Sequence, residues 1–119
     1  MNIRRRNLPV LALALCGALL TATAEAFTPT QHEAVIRLGK LNGVALQCGY
    51  TADMRRLKHA LVEAVPKVSQ LGELYEEATR KSFMEMVQKN LPCPQSAPYA
   101  AEVDGAISAL YRVFAPDKP

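Results

Sequence analysis

The chain of 119 residues is half apolar, carries 14 basic against 11 acidic residues and lacks tryptophan. That length supports one small domain, and the absence of an internal repeat excludes a solenoid or other repeat array. The small basic excess is uneven along the chain, and this bears on partners.

Residues 1–26 read as a leader. Arg4, Arg5 and Arg6 are followed by an uncharged apolar run from Leu8 to Leu20, and Ala24-Glu25-Ala26 supplies an A-x-A cleavage signal. This order is that of a secretory signal peptide, and the run is shorter than the about 20 residues that a membrane span needs. Cleavage is expected after Ala26. Leu15 precedes Cys16 where a lipoprotein signal places a small residue, so lipidation is not expected. Arg5-Arg6 resembles a twin-arginine signal only loosely, and the general secretory route is the expectation. Removing Arg4, Arg5, Arg6 and Glu25 leaves 11 basic and 10 acidic residues over 27–119. No excess remains for gripping phosphates, so a nucleic-acid partner is excluded. Membrane contact is expected only through the leader or weakly. The destination is periplasmic or secreted.

Export also decides how the cysteines are read. Cys16 leaves with the leader, and the remaining Cys48 and Cys93 are expected to form a disulfide in an oxidising compartment. A redox pair or a metal pair is the alternative, and both favour a C-x-x-C spacing that is missing here.

The first helix is expected to start at Thr30, with Glu33 completing a capping box. Ala34, Leu38, Leu41, Ala45 and Cys48 share one stripe, which places Cys48 toward the core, and Gly49 is a stop. Thr51 is expected to cap the second helix, with Asp53 in its first turn. Met54, Leu57, Leu61, Ala64 and Val65 form its stripe, and Pro66 ends it. Arg55, Arg56 and Lys58 make a short basic cluster on this helix. Cys48-Gly49-Tyr50, between the two helices, is similar over three residues to the C-x-G-Y element of disulfide-bonded helical immunity proteins of type VI secretion. The intervening position is missing, and no family is assigned from it.

Ser69 opens a third helix that runs to about Asn90. Glu76–Arg80, Glu77–Lys81 and Glu85–Lys89 are i,i+4 pairs in the favourable order. Leu71, Leu74, Tyr75 and Ala78 share one face, while Phe83, Met86, Val87 and Leu91 lie on a second. The helix therefore kinks, or packs its two halves on different neighbours, or presents an apolar patch. Pro92 and Pro94 flank Cys93 and break the helix. Ser96 is expected to cap the fourth, whose stripe is Ala100, Val103, Ile107, Leu110, Tyr111 and Phe114. Short loops between helices favour an all-α, four-helix bundle-like domain over 27–119, closed by the Cys48–Cys93 bridge.

No catalytic constellation is visible. Both mature cysteines are used, G-x-S-x-G is absent, and His32 and His59 point away from the apolar stripes, so no enzyme and no cofactor are expected. Met84-Glu85-Met86, Met54 and His59 raise periplasmic copper or small-ligand carriage as the alternative function, because thioethers suit Cu(I). An M-x-M pair on a helix splits its sulfurs, however, and no metal site is assigned. The expected function is protein–protein contact, as in an inhibitor or immunity protein, a chaperone or an accessory subunit of an envelope assembly. The expected contact residues are Phe83, Met86 and Val87 on helix three and Arg55, Arg56 and Lys58 on helix two.

Overall fold

A computed structural model of the chain describes residues 26–115. The expected leader, apart from Ala26, and the tail after Ala115 lie outside them. The described residues form four α-helices and no strand: α1 (Pro29–Cys48), α2 (Thr51–Ala64), α3 (Ser69–Gln88) and α4 (Ser96–Val113).

Local chemistry sets each helix end. Thr28 precedes Pro29, and a residue before proline is pushed into extended backbone, which is the geometry an N-cap requires. Thr28 Oγ1 accepts from the Gln31 amide at 3.1 Å, and the Gln31 side chain accepts from the Thr28 amide at 2.9 Å. The capping box therefore lies two residues ahead of the expected Thr30–Glu33 pair, because Pro29 takes the first helical position. Gly49 ends α1 in left-handed backbone (φ 71°) and Tyr50 N–H donates to Ala45 O at 2.9 Å, a Schellman closure. Asn90 (φ 48°) closes α3 in the same manner, with Leu91 N–H on Met86 O at 3.0 Å. Val65, extended ahead of Pro66, stops α2. Thr51 and Ser96 are first helical residues, one position inside the caps expected of them, and Tyr50 and Gln95 hold the N-cap positions without side-chain bonds.

The helices do not form a square bundle. α1, α2 and α4 pack on one another, whereas α3 packs on α1 alone. Leu38, Val35, Leu57, Val103 and Leu110 are fully buried among the first three, and Leu71 and Tyr75 carry the first half of α3 into the same core. Each such aliphatic side chain contributes about 1.5–3 kcal/mol of transfer free energy.

The α1–α3 contact is made by backbone rather than by interdigitated large side chains. A β-carbon at Gly39 would sit 2.6 Å from the Tyr75 carbonyl oxygen, and one at Gly43 would sit 2.5 Å from that of Thr79. Glycines one turn apart thus let α3 lie directly against α1. Polar groups in the seam are paired across it or within α3. Asn42 donates to Thr79 Oγ1 at 3.2 Å, Thr79 donates to Tyr75 O at 2.8 Å, and Ser82 donates to Lys40 O at 2.7 Å.

The disulfide joins Cys48 to Cys93 across 5.7 Å between α-carbons. It ties the end of α1 to the loop after α3, and beside it the Tyr50 phenol donates to the Pro94 carbonyl. The bridge is less sheltered than the stripe suggests: Cys48 is half-buried and Cys93 exposed. A wheel gives direction around α1 but not depth along it, and Cys48 is its last residue.

Candidate functional site

Because α2 and α3 both pack on α1 and not on each other, an open trough of about 600 Å³ lies between them. Leu46 of α1, Met54, Leu61 and Val62 of α2, and Tyr75 and Phe83 of α3 supply its apolar surface. Leu46 and Val62 are 46% and 56% exposed, values of a surface that faces water along its length. Exposed apolar residues scattered singly need no explanation, but here they line one concavity.

Cations edge the trough. Arg55 and Lys58 lie one turn apart on α2 and Arg80 faces them from α3, with Glu76 the one carboxylate among the lining residues. None of the three cations has a carboxylate within 4.0 Å among the described residues. The expected Glu76–Arg80 and Glu77–Lys81 pairs are not made, and only Glu85–Lys89 closes, at 3.0 Å. The hydrogen bond from Lys89 lowers the pKa of the exposed Glu85 carboxyl below its ordinary value.

The six contact residues expected from the sequence separate into groups. Phe83, Arg55 and Lys58 meet in the trough. Arg56 turns toward α4, where it bridges Asp53 at 3.1 Å and contacts Asp104 of α4. Met86 is buried, so it is packing and not surface, while Val87 is 47% exposed outside the trough lining. The second apolar face of α3 thus divides between the interior, the trough and solvent. Leu46, Met54, Val62 and Arg80 were not anticipated as site residues. Arg80 was assigned to a surface pair, and Leu46 lies off the main stripe of α1. The readable signal for Leu46 was Gly39 and Gly43, which mark a second buried side of that helix.

Tyr75 stands at the trough wall with an unusual hydroxyl. The side chain is 7% exposed, and its Oη has no hydrogen-bond partner. Burial pushes its pKa up to about 12. Tyr99, stacked obliquely on Tyr50 at 5.2 Å, is also raised by burial, but its hydroxyl donates to the Leu41 carbonyl.

Elsewhere, His59 Nδ1 lies 3.3 Å from Glu63 Oε2, and the Tyr111 hydroxyl donates to the same oxygen at 2.8 Å. This group is exposed and links α2 to α4. His32 is half-buried beside Phe27, with ring centroids 6.4 Å apart. Met84 is 41% exposed and Met86 buried, so the M-x-M sulfurs do not share one surface. Among the described residues, no three His, Cys, Asp or Glu side chains are grouped to hold a metal ion, and no helix is long and apolar enough to cross a membrane.

Comparison with protein-family models, curated proteins and solved structures finds no match to this chain.

Proposed function

We propose that this is an exported protein, stapled by the Cys48–Cys93 disulfide, that works by holding a partner protein in the trough between α2 and α3. The observation that carries the reading is the trough itself: concave, apolar, open to water and edged by three cations without carboxylate partners among the described residues. Concave apolar surface with a charged rim is the composition of protein-recognition grooves, and methionine such as Met54 adapts to varied partner shapes. A roomy, exposed trough does not enclose a reaction. The role is that of an inhibitor or immunity protein, a chaperone or an accessory subunit of an envelope assembly. Two features support export: the leader pattern in residues 1–26 and a disulfide between the only two cysteines outside it.

Photo-cross-linking in cells tests this. A benzophenone side chain at Val62 should yield a discrete adduct with one protein, identified by mass spectrometry, and Phe83→Asp should abolish it. The same probe at Ser108, on exposed α4, should yield none. Equal labelling from both positions, or none from Val62, would remove the trough as the contact surface.

A further inference from the structure

Resting on that reading, we infer that the occupant of the trough is an acidic amphipathic helix of the partner protein. Shape is the first reason. α2 and α3 flank α1 with no α-carbons of one within 8 Å of the other, and the notch between them is lined by residues of all three helices. Packed helices lie about 8–10 Å apart, so a further helix seated there would contact three neighbours at once. Helix-in-groove recognition uses an apolar stripe at i, i+3, i+4 and i+7, and Leu46, Leu61, Val62 and Phe83 provide the surface to receive one.

Charge is the second reason, and it selects the sign. Arg56 is satisfied by Asp53 and by Asp104 of α4, yet its neighbour Arg55, with Lys58 and Arg80, has no carboxylate partner among the described residues around the trough. Residues 27–119 carry 11 basic and 10 acidic groups, so this is a local placement of positive charge and not general basicity. Carboxylates flanking an apolar stripe would meet Arg55 and Lys58 along one edge and Arg80 along the other. The chain's own leader does not complement this rim, because Arg4, Arg5 and Arg6 would bring like charge to it. A single small amphiphile is disfavoured by openness: ligand pockets bury about 70–90% of their ligand, whereas Leu46 and Val62 stay 46% and 56% exposed here.

The test uses the oxidised protein purified from the periplasm and two fluorescent synthetic helices. Both carry leucine at i, i+3, i+4 and i+7, and they differ only in glutamate or lysine on the flanks. By fluorescence anisotropy at low salt, the glutamate helix should bind about tenfold or more tightly than the lysine helix. Raising ionic strength to about 1 M should close most of that gap. The triple variant Arg55→Glu, Lys58→Glu, Arg80→Glu should reverse the preference while its thermal melt stays unchanged, and Arg55→Lys with Arg80→Lys should keep it. Equal affinity for both helices, or a preference untouched by the triple variant, would overturn the acidic assignment. Tighter binding to phosphatidylglycerol vesicles than to the glutamate helix would assign the cations to a lipid surface and overturn it as well. Dimerisation abolished by Val62→Asp would put a second copy in the trough, with the same result. Failure of the glutamate helix alongside a discrete Val62 adduct sinks this inference alone, whereas silence at Val62 removes the reading beneath it.

Discussion

The two sides of α3 are built on opposite principles. Toward α1 it is sealed: Gly39 and Gly43 admit its backbone, and Asn42, Thr79 and Ser82 satisfy the polar groups in the seam. Toward α2 it stands away, leaving Phe83 and Tyr75 on one wall and Met54, Leu61 and Val62 on the other. One helix is thus packed along one edge while its other edge lines the open trough. A seam that depends on the absence of two side chains is strong in one direction only, because any substituent forces the helices apart. The trough has room, and substitutions there should be tolerated by the fold.

The largest effect should come from the staple on the sealed side. The bridge closes a segment with a sequence separation of 45. Chain entropy assigns a loop of that length about 4 kcal/mol. Cys48→Ser with Cys93→Ser should lower the denaturant midpoint by a corresponding amount, at unchanged helical signal in the folded baseline. An unchanged midpoint would mean that α1 and the α3–α4 loop stay together without the bond.

The seam comes next. Gly43→Ala places a β-carbon 2.5 Å from Thr79 O, 2.7 Å from Ser82 Cβ and 2.8 Å from Phe83 N, with backbone atoms that cannot step aside. Overpacking of this kind costs about 1–3 kcal/mol, against up to about 1 kcal/mol regained from helix propensity. Net destabilisation is expected in urea unfolding, and hydrogen exchange should report it first in the second half of α3. A stabilised Gly43→Ala would show that the helices are not in backbone contact.

Much of this design was readable in the residues, and the boundary of what was readable is physical. Prolines 66, 92 and 94, Gly49 and the apolar spacing delimit four helices, and the expectation of export, which leaves two cysteines, predicts the Cys48–Cys93 pair that the fold contains. Amphipathic stripes found Leu38, Leu57, Leu71 and Val103 but missed Val35, Ala60, Tyr99 and Ala106. A stripe assumes one buried face per helix, and α1 meets all three of its neighbours. Gly39 and Gly43 read as weak points in a helix until a neighbour is known to lie on them, although their spacing of one turn was the available signal. Arg80 read as a partner for Glu76 because i,i+4 spacing allows the pair; allowance is not formation, since exposed pairs contribute only about 0.2–0.5 kcal/mol to a helix. The trough joins residues from three helices, and no periodicity within one segment can show that.

Tyr75 lies where the two sides of α3 meet, and pH probes it. Its hydroxyl is buried without a partner, so Tyr75→Phe should leave stability unchanged or raise it by about 1 kcal/mol at neutral pH. The group also titrates differently in the two states. Its folded pKa, about 12, lies above the ordinary 10 of an unfolded tyrosine. The stabilising difference is complete below pH 10 and is lost as pH rises toward 12, because the unfolded chain ionises first. Over that interval this one group should remove about 1 kcal/mol per pH unit. Urea titrations at pH 9, 10 and 11 should show the fall, and Tyr75→Phe should flatten it in part, with Tyr99, raised in the same direction, carrying the rest. An identical slope in the variant would place the Tyr75 hydroxyl in water, on the trough side of the wall.

The smallest effect separates the two sides most directly, because it uses the same substitution. Gly72 lies on α3 at the trough, and a β-carbon there would meet nothing within 4 Å. Alanine in place of glycine lowers the entropy lost on folding, and at a helical position with free space it should stabilise by about 0.5–1 kcal/mol. Gly72→Ala should therefore raise the urea midpoint where Gly43→Ala lowers it, although both glycines lie in helices that touch. The pair should add in the double variant to within about 0.5 kcal/mol, since Gly72 is at the start of α3 and the Gly43 contacts are near its middle. Opposite signs from one chemical change would locate the boundary between seam and trough on α3 itself. Destabilisation by both would mean that α2 closes against α3 in solution and that the open side is not open.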